Sequence, residues 1–253
     1  MNWRSSLRWF AAEFLVVVTG VLVALALQSW CEQREHTRRE RIYLRHLSAD
    51  LQRTREIIQR ANVTLGGSDS AGSRLVRAYH TEGFTARDSL YAWFFRAATY
   101  QTPTPITATA DALVSTGDLR LLSNDTLRSA VSDYLNGTNR IQREQDRFVT
   151  MMTEAVQQVS PYLNFSEALA AVMTPEQIAE RSRHNIFFPL PAENLRRPRF
   201  SSSLDEILNN RSVYAGIQMI NVLKLNMLQA RQELDSATVE LQRRVNGELE
   251  RAR

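Results

Sequence analysis

His46 and Asp50 stand four residues apart, a spacing that puts an imidazole and a carboxylate on one helix face. With a third ligand such a pair could hold a metal ion. The plainer reading is an exposed or core-edge pair on a helix. The other histidines, His36, His80 and His184, fall in no His-Glu-x-x-His arrangement. The stretch LGGSDSAGSR is glycine-rich ahead of a predicted helix, so its amides could cradle an anion. It lacks the Gly-Lys-Ser/Thr ending of a phosphate loop and reads as a turn between helices. Ser70 and Ser73 have no motif that pairs them with a base. Cys31 is the single cysteine, which excludes an intramolecular disulfide and an all-cysteine metal cage. These residues assign no catalytic group, no metal ligand and no cofactor.

The charge pattern narrows the partners. Lys224 is the only lysine, so arginine carries nearly all the positive charge. The formal net charge is +4, and basic residues alternate with Asp and Glu along most of the chain. No stripe suited to a nucleic-acid backbone results, and no small-molecule substrate is inferred. YAWFFRAATY could form a binding face, but aromatics at helical spacing more often fill a core. FFPLP, within a proline-rich basic stretch, reads as a strap across a bundle or a docking segment.

The elements that must position these residues begin with AAEFLVVVTGVLVALALQSW. Phe14 to Leu27 carries no charge. From Phe10 to Trp30 the run is about 21 residues, which as a helix spans roughly 30 Å, the thickness of a bilayer core. Trp9 and Trp30 stand at its two ends as interface anchors. Residues 1–31 are therefore expected to form a membrane anchor. Glu13 lies one turn inside Trp9, where it can reach headgroups; the sharper reading makes it a polar contact to a partner helix. Gly20 and Ala24 form a small-xxx-small pair that could admit a second helix, as in a homodimer. Ala24-Leu25-Ala26 also has the form of a signal-peptidase site, but helical sequence continues past it without a breaker. Trp30 is too bulky for the residue before a lipoprotein cysteine.

Beyond the anchor the pattern is helical throughout, and a body over residues 32–253 is expected. Leu44, Leu47, Leu51, Thr54, Ile58, Ala61 and Leu65 alternate at three and four residues, as a coiled-coil-like seam requires. Anchor and stalk should be one helix, ended by Gly66-Gly67. A second seam runs from Leu127 through Val131, Tyr134, Thr138, Ile141, Gln145, Phe148, Met152 and Ala155 to Val159. It crosses Asn136-Gly137 without a phase shift, so that dipeptide is read as helix and not as a hairpin. Thr138 and Gln145 are read as strained core positions or points where the bundle opens to another chain, or, more plainly, as a bundle edge near solvent. A third seam uses Val213, Gly216, Ile220, Leu223, Met227, Ala230, Leu234, Ala237 and Leu241 and leads into a fraying, charged end. Long helices are thus expected at about 32–65, 125–159 and 212–248. Shorter ones fall between, including capped starts at Thr174-Pro175-Glu176-Gln177 and Ser203–Glu206. The fold class is all-α: an N-terminal transmembrane helix continuous with a stalk, then an antiparallel helical bundle.

The residues Glu13, Gly20, Ala24-Leu25 and Trp30, in AEFLVVVTGVLVALALQSWCEQREHTRRERIYLRHLSADL, resemble the N-terminal signature of a bacterial family of single-pass membrane proteins of unknown function. LVSTGDLRLLSNDTLRSAVSDYLN is similar to an internal block of that family, and SLDEILNNRSVYAGIQMINVL to its C-terminal block. The chain departs in having Ala12 where Gly is usual and Gln28-Ser29 where Asn is usual. The resemblance implies a bacterial inner-membrane protein and that Glu13 belongs to the pattern, but no activity. Arg34, Arg38, Arg39, Arg41 and Arg45 outnumber Arg4 and Arg8 across the span, which favours a cytoplasmic body. The expected function is a non-catalytic interaction, sensory or scaffold module touching membrane lipid and a protein partner. The alternative is an enzyme accessory or lipid-handling protein with an apolar pocket under the aromatic patch.

Overall fold

The computed structural model describes residues 3–64, 70–184 and 201–251, with side chains from Leu15 onward except at 16, 17, 64, 179 and 181–184. Among these residues every regular element is helical: α1 (Trp3–Thr64), α2 (Ala71–Ala78), α3 (Arg87–Ala98), α4 (Ala108–Ser115), a 3-10 turn (Asp118–Leu121), α5 (Asp125–Val159), α6 (Phe165–Ala170), α7 (Pro175–His184), α8 (Leu204–Leu208) and α9 (Arg211–Arg251). The all-α expectation holds, and the three long helices fall where the seams put them. The strap expected at FFPLP and the Gly66-Gly67 stop lie outside the described residues.

Local chemistry sets the ends. The Ser203 hydroxyl accepts from the Glu206 amide while the Glu206 carboxylate accepts from the Ser203 amide, closing the expected capping box. Thr174 and Gln177 exchange the same two bonds ahead of α7. Asn124 and Asn210 cap α5 and α9 by accepting from the amides two and three residues on. Gly117 stops α4 in the left-handed region at φ 76°, where a Cβ would be strained. Asn136-Gly137 lies inside α5, as read from the unbroken seam. The C-terminal segment is helical to Arg251 and not frayed.

The chain divides into two compact units. The first comprises residues 1–51, 107–133 and 241–253; the second comprises 52–106 and 134–240. In the first, Leu44, Leu47 and Leu51 of α1 are buried, as are Leu113, Leu122, Leu127, Val131, Leu241 and Val245. Two α1 side chains secure its shorter segments. Asp50 accepts from the backbone N–H and hydroxyl of Thr109 at 3.1 and 2.6 Å, satisfying a free donor in the first turn of α4. Glu40 accepts from the backbone N–H and hydroxyl of Ser123 at 2.6 and 2.7 Å, just ahead of α5.

The second unit holds the larger apolar cluster, in which Leu75, Leu90, Phe94, Met152, Val159, Leu163, Ile207, Ile217 and Ile220 are fully buried. Here α5 and α9 run antiparallel: Gln158 bonds the Ser212 carbonyl at one end, and Arg140 pairs with Glu233 at the other. A second cluster joins Ile58, Ile141, Ala230 and Leu234. Thr138 and Gln145 are buried at 2% and 1% exposure, so they are core positions, and the plainer reading of an edge near solvent is corrected. The Thr138 hydroxyl avoids a penalty by donating to the Leu135 carbonyl. Gln145 has no such outlet for its Oε1, which is buried without a hydrogen-bond partner. Lys224 and Arg231 are also buried, and the Lys224 ammonium donates to the Thr99 carbonyl.

The membrane-spanning part of the expectation is not met by the described residues: among them no helix is long and apolar enough to cross a membrane. The single continuous helix expected through this stretch is present, as α1.

Candidate functional site

The region that differs most from an ordinary helix surface is the first half of α1. From Val18 to Glu35 every residue is exposed. Val18, Val21, Leu22, Val23, Leu25 and Leu27 are among them, with Leu22 at 60% and Leu27 at 58%. At about 100° per residue these side chains point around the whole helix circumference. A helix that is apolar on all sides is found buried in a large core or in lipid, because water on every face is costly.

Of the residues singled out in the sequence, Trp9 and Glu13 lie in the backbone of α1, but their side chains fall outside the described residues. Gly20 and Ala24 are exposed one turn apart, and a Cβ added at Gly20 would meet nothing within 4 Å. That face is open for a close helix approach. Trp30 is 59% exposed, and the Arg34 guanidinium sits 5.4 Å from its ring centroid. The structure thus brings Gly20 and Ala24 together on one face and sets Trp30 at the far end, where the helix turns from apolar to charged.

Past Trp30 the helix carries an open groove lined by Trp30, Arg34, Arg38, Arg41, Ile42 and Arg45, with Gln33 and Thr37 between them. The four arginines fall within an arc of roughly 60°. No described carboxylate lines the groove. The acids of this stretch are engaged elsewhere: Glu32 accepts from Gln28, Glu35 pairs with Arg39, and Glu40 holds the Ser123 amide. Counting these arginines for orientation missed their shared face. Their i, i+4, i+7 and i+11 spacing was the signal that could have found it.

Other candidates resolve into structural roles. His46 is exposed and Asp50 is committed to Thr109, so the two do not converge. Among the described residues no group of three or more His, Cys, Asp or Glu side chains is placed to hold a metal ion. The aromatic patch splits: Tyr91 and Phe94 are buried in the core, while Trp93 packs on Phe84 with centroids 5.8 Å apart. Arg87 is held by the Glu167 carboxylate at 3.0 Å and lies over the Tyr91 ring, tying α3 to α6. Burial pushes the Tyr79 phenol well up, and its hydroxyl donates to the Ile207 carbonyl at 3.1 Å. In the first unit the Tyr43 hydroxyl donates to Asp118 at 2.7 Å. That bond lifts the phenol above its usual 10.0 and lowers the carboxyl below its usual 3.8.

Comparison with protein-family models, with curated proteins and with solved structures gave no match.

Proposed function

We propose that the chain is a membrane-anchored, non-catalytic interaction module: residues 1–31 anchor it in a bilayer, and the helical body meets a protein partner. The observation that carries this reading is the collar of exposed Val and Leu side chains around α1 between Val18 and Leu27. Fully burying such side chains is worth about 1.5–3 kcal/mol each. A helix that presents them on every side finds its complement in lipid more readily than in a protein groove, which covers one face. The uncharged sequence from Phe14 to Leu27 and the tryptophans at Trp9 and Trp30 support the same reading. In this reading the protein sits in a bacterial inner membrane with its body on the cytoplasmic side, on the arginine count flanking the span and the family resemblance. The open Gly20–Ala24 face is where a second transmembrane helix, from a partner or a second copy, would pack.

The chemistry of the body supports binding and not turnover. Charged side chains of the body act as structural ties, as in the Arg87–Glu167 ion pair and the Asp50 carboxylate that holds the Thr109 amide and hydroxyl. Of the aromatic patch, Tyr91 and Phe94 fill the core, while Trp93 with Phe84, Arg74 and Arg77 lines an open cleft and not an enclosed apolar pocket of the kind a lipid-handling protein needs. Alkaline carbonate extraction of membranes carrying the full chain tests the anchor: the protein should stay with the bilayer. Quantitative release into the wash would refute it.

A further inference from the structure

We infer that the arginine face after Trp30 binds the phosphate of anionic phospholipid headgroups, with Arg34 and Arg38 making the contacts; this rests on the membrane reading above. Arg34 and Arg38 are both exposed, on the same side of α1 as Trp30. Along the helix Arg34 lies about 6 Å beyond Trp30 and Arg38 about 12 Å, at 1.5 Å per residue. The headgroup layer on each side of a bilayer is roughly 5–8 Å deep. With Trp30 at the interface, a long guanidinium side chain from either position reaches that layer. Arg45, about 22 Å beyond Trp30, does not. Arg45 extends the same positive field without touching headgroups, and Arg41 is half-buried at the groove's inner side.

Charge complementarity selects the occupant. The groove presents four arginines and no described carboxylate, and the three nearby glutamates are turned to Gln28, Arg39 and Ser123. A planar guanidinium donates two parallel hydrogen bonds to a phosphate, which an alternating surface of Glu and Arg would not offer. A zwitterionic headgroup carries its own cation against such a face, whereas an anionic one does not. The arrangement also fits a basic segment held at an anionic leaflet, where each arginine near the surface contributes about fivefold in affinity, or ~1 kcal/mol.

The test uses the full chain with Trp3, Trp9 and Trp93 replaced by Phe, leaving Trp30 as the only reporter. It is reconstituted in phosphatidylcholine vesicles containing 30 mol% phosphatidylglycerol, with bromine on one lipid or the other. Phosphatidylglycerol should be selected over phosphatidylcholine at Trp30 by at least about fivefold, so that at 30 mol% it supplies at least roughly two-thirds of the lipid that quenches the indole. That preference should fall at 1 M salt, where the screening length shrinks to about 3 Å. Arg34→Gln with Arg38→Gln should abolish it, the corresponding Lys substitutions should restore only the salt-sensitive, charge-borne part of it, and Arg45→Gln should leave it largely intact. Equal quenching by both lipids, or a preference unchanged in the double Gln variant, overturns this inference alone. Absence of quenching by either lipid overturns the membrane reading with it.

Discussion

Gly137→Ala is the sharpest test of the helical body, because the sequence around it admits two opposite conformations. As a hairpin turn, Asn136-Gly137 would need a positive φ at the glycine, and alanine would be strained there. In the structure the dipeptide lies inside the 35-residue α5, and Gly137 is not among the glycines with positive φ. A Cβ at Gly137 would meet nothing within 4 Å. Alanine therefore costs no contact and gains helix propensity, about 0.5–1 kcal/mol relative to glycine. For a body of this size that corresponds to a rise in Tm of roughly 1–4 °C. Gly72→Ala is the matched control. Its Cβ would come 2.6 Å from the Asn221 Oδ1 and 3.1 Å from the Asn221 Cα, so α2 would have to move off α9. Overpacking of this kind costs about 1–3 kcal/mol, which outweighs the propensity gain. Thermal unfolding followed by circular dichroism in mild detergent should show Gly137→Ala above and Gly72→Ala below the parent. A lowered Tm for Gly137→Ala would refute the continuous helix and the bundle built on it.

Gln145→Met should hold or raise stability, by up to about 1 kcal/mol in denaturant titration, because it removes a buried acceptor that has no partner. Asp50→Ala should cost about 1–2 kcal/mol in the same assay, since it leaves the Thr109 amide at the start of α4 without its acceptor. The Tyr43–Asp118 bond contributes where the carboxyl is charged and the phenol neutral. Its contribution is lost as pH falls through the lowered Asp118 value, and again as pH rises through the raised Tyr43 value. Tyr43→Phe should move the Asp118 titration, read by carboxyl-carbon NMR, back toward 3.8. Lys224 should acylate at least about tenfold more slowly in the folded protein than after denaturation, read by mass spectrometry, because opening of the core must precede its reaction.

The long helices were legible because their information is local. Leu44, Leu47, Leu51 and Ile58 repeat at helical spacing, and the caps at Thr174 and Ser203 act within four residues. What stayed hidden depended on distant partners. Asp50 read as a polar residue at a helix edge, or at most as half of a metal pair, until α4 placed the Thr109 amide beside it. Thr54 is the one hydroxyl in the first seam, and only the fold shows that the Ile106 amide bonds it at 2.9 Å. Lys224 and Arg231, seven residues apart and in phase with Thr238, lie on a buried face of α9 that charge alone assigns to solvent. Their long apolar stems make such burial tolerable. The arginine face was written in the sequence, but it emerges only when the residues are projected around the helix and the neighbouring glutamates are seen to be occupied.

The anchor is tested most directly by moving the single thiol. Cys31 is exposed just past the apolar stretch, and Leu22 is 60% exposed within it. In membrane fragments open to the reagent on both faces, the native Cys31 should react readily with a water-soluble maleimide. Leu22→Cys in a Cys31→Ala background should react only after SDS denaturation, because lipid surrounds it and withholds water from the thiol. Equally fast labelling at both positions would mean that water and not lipid surrounds Leu22, and the membrane account would fall.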